Sequence, residues 1–89
     1  MIKVIKVEWL GDYLLWLAFS DGSDGVWDGV DLFGIDGPMV QPLHDKAYFG
    51  RVFLQMGAPI WPNGFAIDAL ALHMELEAAG ALTRPAQSA

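Results

Sequence analysis

Apolar and polar side chains interleave from Ile2 to Trp9, a run rich in the β-branched and aromatic residues that favour strands. Tyr13 to Phe19 is a second such run, and the turn pair Gly11-Asp12 between them predicts a β-hairpin. Within the second run Tyr13, Leu15, Leu17 and Phe19 fall on one face and Leu14, Trp16 and Ala18 on the other, so both faces are apolar. A strand of this kind is expected at the centre of a sheet and covered on two sides, by the rest of the chain or by another copy. Ser20-Asp21-Gly22 ends it, and a third strand from Gly25 to Asp28 completes a meander.

Beyond Val30 the pattern breaks into isolated apolar residues among Gly34, Gly37, Pro38 and Pro42, which predicts an ordered irregular connection as far as His44. Asp45 can cap a short helix over Lys46 to Arg51 that plugs Tyr48 and Phe49 into the core. Two short strands come next, Val52 to Met56 and Pro59 to Trp61, about the Gly57-Ala58 turn. In Trp61-Pro62-Asn63-Gly64 the proline fixes φ, the asparagine tolerates the left-handed region and the glycine accepts the next turn position, so the stretch is a tight turn out of the sheet. A helix from about Ala69 to Ala79 lies between the capping oxygen of Asp68 and the left-handed stop of Gly80. The expected class is α+β: a small antiparallel sheet of a three-stranded meander plus two short strands, a short middle helix and a C-terminal helix. Residues 1–81 form one domain, and residues 82–89 are expected to be a flexible tail.

The C-terminal helix carries two apolar stripes. Ile67, Leu70, Ala71, Met74 and Ala78 are the expected core face. Leu72 and Leu76, with Ala69 and Ala79, form the other, flanked by Glu75 on one side and by His73 and Glu77 on the other. Leucines at i and i+4 pack together and can anchor another chain, so Leu72 and Leu76 are the candidate interaction residues, with Trp16 and Trp61 beside them.

Composition sharpens that expectation. A chain of 89 residues has little room to build a core, yet 54% of it is hydrophobic, above the roughly 45 to 50% of ordinary soluble domains. The surplus points to self-association, with a homodimer as the simplest form. No apolar run approaches the roughly 20 residues of a membrane span. The N-terminal run has lysines within it and no separate apolar segment of an export signal, and there are no cysteines, which together fit a cytoplasmic protein. Eleven acidic against five scattered basic residues give a net charge of −6, which argues against direct nucleic-acid binding and suits a basic protein partner.

The run Tyr13-Leu14-Leu15-Trp16-Leu17-Ala18-Phe19-Ser20-Asp21-Gly22, the acidic Val30-Asp31-Leu32, the middle segment from Gly37-Pro38 to Pro42-Leu43, Phe49 and Trp61-Pro62-Asn63-Gly64 stand in a recognisable order. Together they resemble a family of small bacterial domains of unknown function marked by F-x-D-G and W-P-N-G, over about residues 2–75. The sequence departs from the pattern after the second motif. There the family usually has Ala-Asp and then Asp-Pro, and this chain has Phe65-Ala66 and Asp68-Ala69. The resemblance implies a small α+β domain with a C-terminal helix. Some members carry an additional DNA-binding helix-turn-helix domain, and many sit in toxin–antitoxin-like gene pairs. It supplies no catalytic residue.

The remaining chemistry-bearing residues form no recognised motif. Counted from Asp21, a calcium loop would need an acid at Ser23, an acid at Gly25 and a glutamate at Leu32, so the acids Asp21, Asp24, Asp28, Asp31 and Asp36 do not fit one. His44 and His73 have no second ligand at zinc spacing. Ser20 and Ser23 lie outside any strand-to-helix elbow that would make them nucleophiles, and the fold is too small to wrap a sugar cleft between paired carboxylates. No catalytic, cofactor or metal residue is expected. Asp21, Gly22, Pro62, Asn63 and Gly64 are read as structural turn residues, and among the four tryptophans Trp61 is the one expected to be partly exposed. The functional expectation is a non-enzymatic interaction module, antitoxin-like or regulatory in a two-gene pair; the alternative is a small-ligand domain or weak enzyme with a pocket near Trp61 and Asn63.

Overall fold

The computed structural model describes residues 1–85. Strands β1 (Val4–Trp9), β2 (Leu14–Phe19) and β3 (Asp24–Asp28) form the expected antiparallel meander. The first turn has positive φ at Gly11 and at Asp12, the latter a residue whose short polar side chain tolerates that region. Two 3-10 segments, Gly29–Gly34 and Gln41–His44, occupy the irregular middle, and α1 is a single turn, Lys46–Phe49, shorter than expected. Its cap is the predicted one: Asp45 accepts the Ala47 amide at 3.1 Å. Strands β4 (Phe53–Gln55) and β5 (Ala58–Ile60) pair with each other in a separate two-stranded sheet. Helix α2 covers Ala69–Ala78, with the Asp68 carboxylate accepting the Ala71 amide.

The chain beyond Gly80 differs from the expected tail. The Gly80 amide donates to the Glu77 carbonyl and the Ala81 amide to that of Leu76, a Schellman stop that needs the left-handed φ of 69° at Gly80. This reversal lays β6 (Leu82–Thr83) along β3, pairing Thr83 with Asp24 and Leu82 with Gly25. The main sheet therefore has four strands in the order β1-β2-β3-β6. A side chain at Gly25 would meet the Ala81 carbonyl oxygen at 2.6 Å, so only glycine lets the returning chain come this close. Of the tail expected over residues 82–89, the part at 86–89 lies outside the described residues.

The core lies on one side of the main sheet. Val4, Leu15, Leu17, Phe19 and Trp27 project from the strands onto Phe49, Trp61, Leu43 and α2. The orientation of α2 is the reverse of the expected one. Leu72 is 1% exposed and Leu76 is equally a core residue, whereas Leu70 is 50% and Met74 is 59% exposed. The candidate anchors Leu72 and Leu76 are thus unavailable to a partner. The inward face is Ala69, Leu72, His73 and Leu76, the i, i+3, i+4, i+7 stripe of an amphipathic helix, and it includes a histidine expected on the polar flank. His73 is buried edge-on against Phe19, and Glu75 receives the indole N–H of Trp27 at 2.9 Å. The one buried polar side chain of α2, His73, is thus satisfied by Asp21 on the β2–β3 turn, and Glu75 reaches β3 from the exposed flank.

Trp61, expected to be partly exposed, is instead fully buried, its indole N–H donating to the Phe49 carbonyl at 2.8 Å. The turn it begins does hold as expected. The Gly64 amide closes onto the Trp61 carbonyl with φ of 90° at Gly64, and Asn63 accepts the Phe65 amide while donating to the Met39 carbonyl.

Candidate functional site

The turn after β2 holds the densest cluster of polar groups. The Gly22 amide returns to the Phe19 carbonyl and ends the strand. This aims the Asp21 carboxylate at α2. Its Oδ1 accepts the Ser23 hydroxyl at 2.5 Å and the Ser23 amide at 3.0 Å, while Oδ2 lies 2.9 Å from His73 Nε2. Arg84 reaches toward the same oxygen at 3.9 Å and pairs with Glu77. The Ser23 hydroxyl and then its amide hold the Asp21 carboxyl down from 3.8 to about 2; partial burial opposes them, and His73 adds to the lowering.

Hydroxyl, carboxylate and imidazole thus meet, but with the carboxylate in the middle. His73 and Ser23 sit on opposite oxygens of Asp21, so the imidazole is not placed to take the serine proton as a nucleophile relay requires. What the arrangement does is clamp three separate segments, the β2–β3 turn, α2 and the chain after β6. Neighbouring acids are used in the same way. Asp24 accepts the Trp16 indole N–H at 3.1 Å, and Asp28 accepts the Val30 amide at 3.0 Å. Among the described residues no three His, Cys, Asp or Glu side chains are grouped to hold a metal ion. His44, the other histidine, packs with its ring tilted against Phe33, away from this cluster.

Exposed apolar side chains among the described residues include Leu10, Val30, Ile35, Met39 and Phe53, and two further groups of them bear on a binding role. The first is a groove of about 670 Å³ between the N-terminal segment, the β4–β5 turn and the start of α2. Met1, Ile2, Met56 and Leu70 line it, with Lys3, Asp21 and Asp68 among its polar residues. Met56 stands at the tip of the β4–β5 turn with φ of 53° and is 92% exposed. That backbone position favours asparagine or glycine, and a methionine there contributes little to the fold. The second surface is the side of the main sheet opposite the core. Leu14, Trp16 and Ala18 of β2 are half-buried there, next to exposed Val26 of β3 and exposed Ile5 of β1. The second face of β2 is thus left partly open by its own chain, where the sequence predicted cover on two sides.

Of the four candidate interaction residues, the structure leaves Trp16 alone at a partly open surface, and it brings none of them together with the groove. Trp61 and Asn63 line neither surface, their polar atoms being held within the chain. The groove itself went unforeseen in the sequence; its one local signal is a methionine preceding Gly57 in a two-residue turn. No family model matches this chain, and neither does any curated protein or solved structure. None of the described helices is long and apolar enough to cross a membrane.

Proposed function

We propose that the chain is a non-enzymatic protein-interaction module that takes a basic protein partner through the groove at the start of α2. The observation that carries this reading is Met56. A large, flexible apolar side chain is held almost wholly in solvent on a strained turn, at the lip of a groove whose other walls include Met1 and Leu70. Methionine surfaces adapt to varied partners, and Leu70 with Met74 one turn on extends the groove along the outer face of α2. The net charge of −6 favours encounter with a cationic partner. The F-x-D-G and W-P-N-G resemblance supports the same reading, since it suggests an antitoxin-like or regulatory member of a two-gene pair acting in the cytoplasm.

The experiment is an NMR titration with a Lys/Leu amphipathic helical peptide as a basic probe. Amide shifts concentrated at Met56, Ala58, Leu70 and Met74, abolished by Met56→Glu with Leu70→Glu in a folded variant, are the expected result. Shifts that are absent at millimolar peptide, or that spread evenly over the surface, would overturn the reading.

A further inference from the structure

The register of the meander decides which side chains share the open face of the sheet. Ala18 is paired with Lys6 on one side and Asp24 on the other; Trp16 is paired with Glu8 and Val26; Leu14 is paired with Asp28. The face is therefore three rows, each centred on an apolar residue of β2: Lys6 and Asp24 flank the first, Glu8 and Val26 the second and Asp28 the third, while Thr83 and Arg84 border the first row beyond Asp24. That charge arrangement is not symmetric about β2, and the asymmetry is informative.

We propose that this face binds a second copy of the chain, sheet against sheet, about a two-fold axis running along β2. Such an axis lays β1 of one copy over β3 of the other while keeping each row in place. Lys6 then stands opposite the partner's Asp24, twice by symmetry, and Trp16, Ala18 and Leu14 each meet their own counterparts. Glu8 meets the partner's Val26, and no acid faces an acid. An axis running across the strands instead would place Glu8 on Glu8 and Asp24 on Asp28, which like-charge repulsion disfavours. Sheets packed face to face stand about 10 Å apart with strands roughly 30° from parallel, a gap that a lysine side chain can bridge.

The contact is small. Three strands about 4.8 Å apart and five residues at about 3.4 Å give a patch of roughly 14 by 17 Å, well below the roughly 800 Å² per partner of a standard interface. The dimer is accordingly weak, and it forms and dissociates with concentration. It uses a surface separate from the groove, so the two readings stand or fall independently.

Sedimentation velocity from about 5 to 500 μM tests the pairing. Wild type should pass from monomer to dimer. Lys6→Glu or Asp24→Lys should each weaken association at least tenfold, and the two reversals combined should restore it to within about threefold. Leu70→Glu should leave it unchanged. A wild type monomeric at 500 μM, or a dimer indifferent to both reversals, would overturn the proposal.

Discussion

The two faces of β2 are nearly equal in hydrophobicity and opposite in fate. Leu15, Leu17 and Phe19 are fully enclosed by α2, Phe49 and Trp61, whereas Leu14, Trp16 and Ala18 on the reverse side are only half-buried. Helix α2 repeats the contrast, with Leu72 and Leu76 in the core and Leu70 and Met74 outside. Hydropathy alone therefore does not say which apolar surface is the core. On α2 the enclosed side is the one where buried His73 finds Asp21, with Glu75 reaching Trp27 from the exposed flank. A small domain with two apolar faces on one strand can bury one of them with its own chain and has the other left for something else.

The contrast breaks most sharply by deletion of side chains. Leu17→Ala or Leu72→Ala should destabilise the monomer by about 2 to 5 kcal/mol in urea unfolding, because each removes enclosed methyl groups and leaves a cavity. A loss below about 1 kcal/mol at either position would mean that the core has been assigned to the wrong face. Next in size is Gly64→Val, expected to cost about 1 to 3 kcal/mol because φ there is 90°. An unchanged melting temperature would show that the W-P-N-G turn does not constrain the fold as described.

The Asp21 clamp gives a pH signature. Its carboxyl is held at about 2 in the folded chain against an ordinary 3.8, so the folded state favours the ionised form. That contribution is complete above the ordinary value and is lost as the pH falls through the folded one. The stability gap between wild type and Asp21→Asn should therefore be constant around neutral pH and close between about pH 4 and pH 2. A gap unchanged across that window would rule out the carboxylate as the joining group. The smallest effects belong to the open faces: Leu14→Thr, Val26→Thr and Met74→Gln should each stay within about 0.5 kcal/mol of wild type for the monomer at low concentration.

Most of the fold was legible from sequence where its causes are local. Strand boundaries match Gly11-Asp12 and Ser20-Asp21-Gly22, and both helices begin at the aspartates that cap them, Asp45 and Asp68. What was illegible depends on distant partners. The facing of α2 turned on a histidine whose carboxylate lies 52 residues away, so His73 read as a polar flank when it is a core residue. β6 is only two residues long, and its strand state results from the reversal at Gly80 and the bare backbone of Gly25. Trp61 read as exposed because it begins a turn, yet its ring swings inward to a carbonyl on α1. The open sheet face was partly visible in the double-sided pattern of β2, while the groove draws on three segments that no sequence window joins.

The central claim, that the second apolar face of the sheet is free in the monomer and covered in association, is tested most directly by methyl NMR with a soluble paramagnetic agent at low and high protein concentration. The Leu14 and Val26 methyls should be strongly broadened near 10 μM and protected near 500 μM, while those of Leu15, Leu17 and Leu72 stay protected throughout. Leu14 and Val26 methyls that are shielded already at 10 μM, or equally broadened at both concentrations, would contradict it.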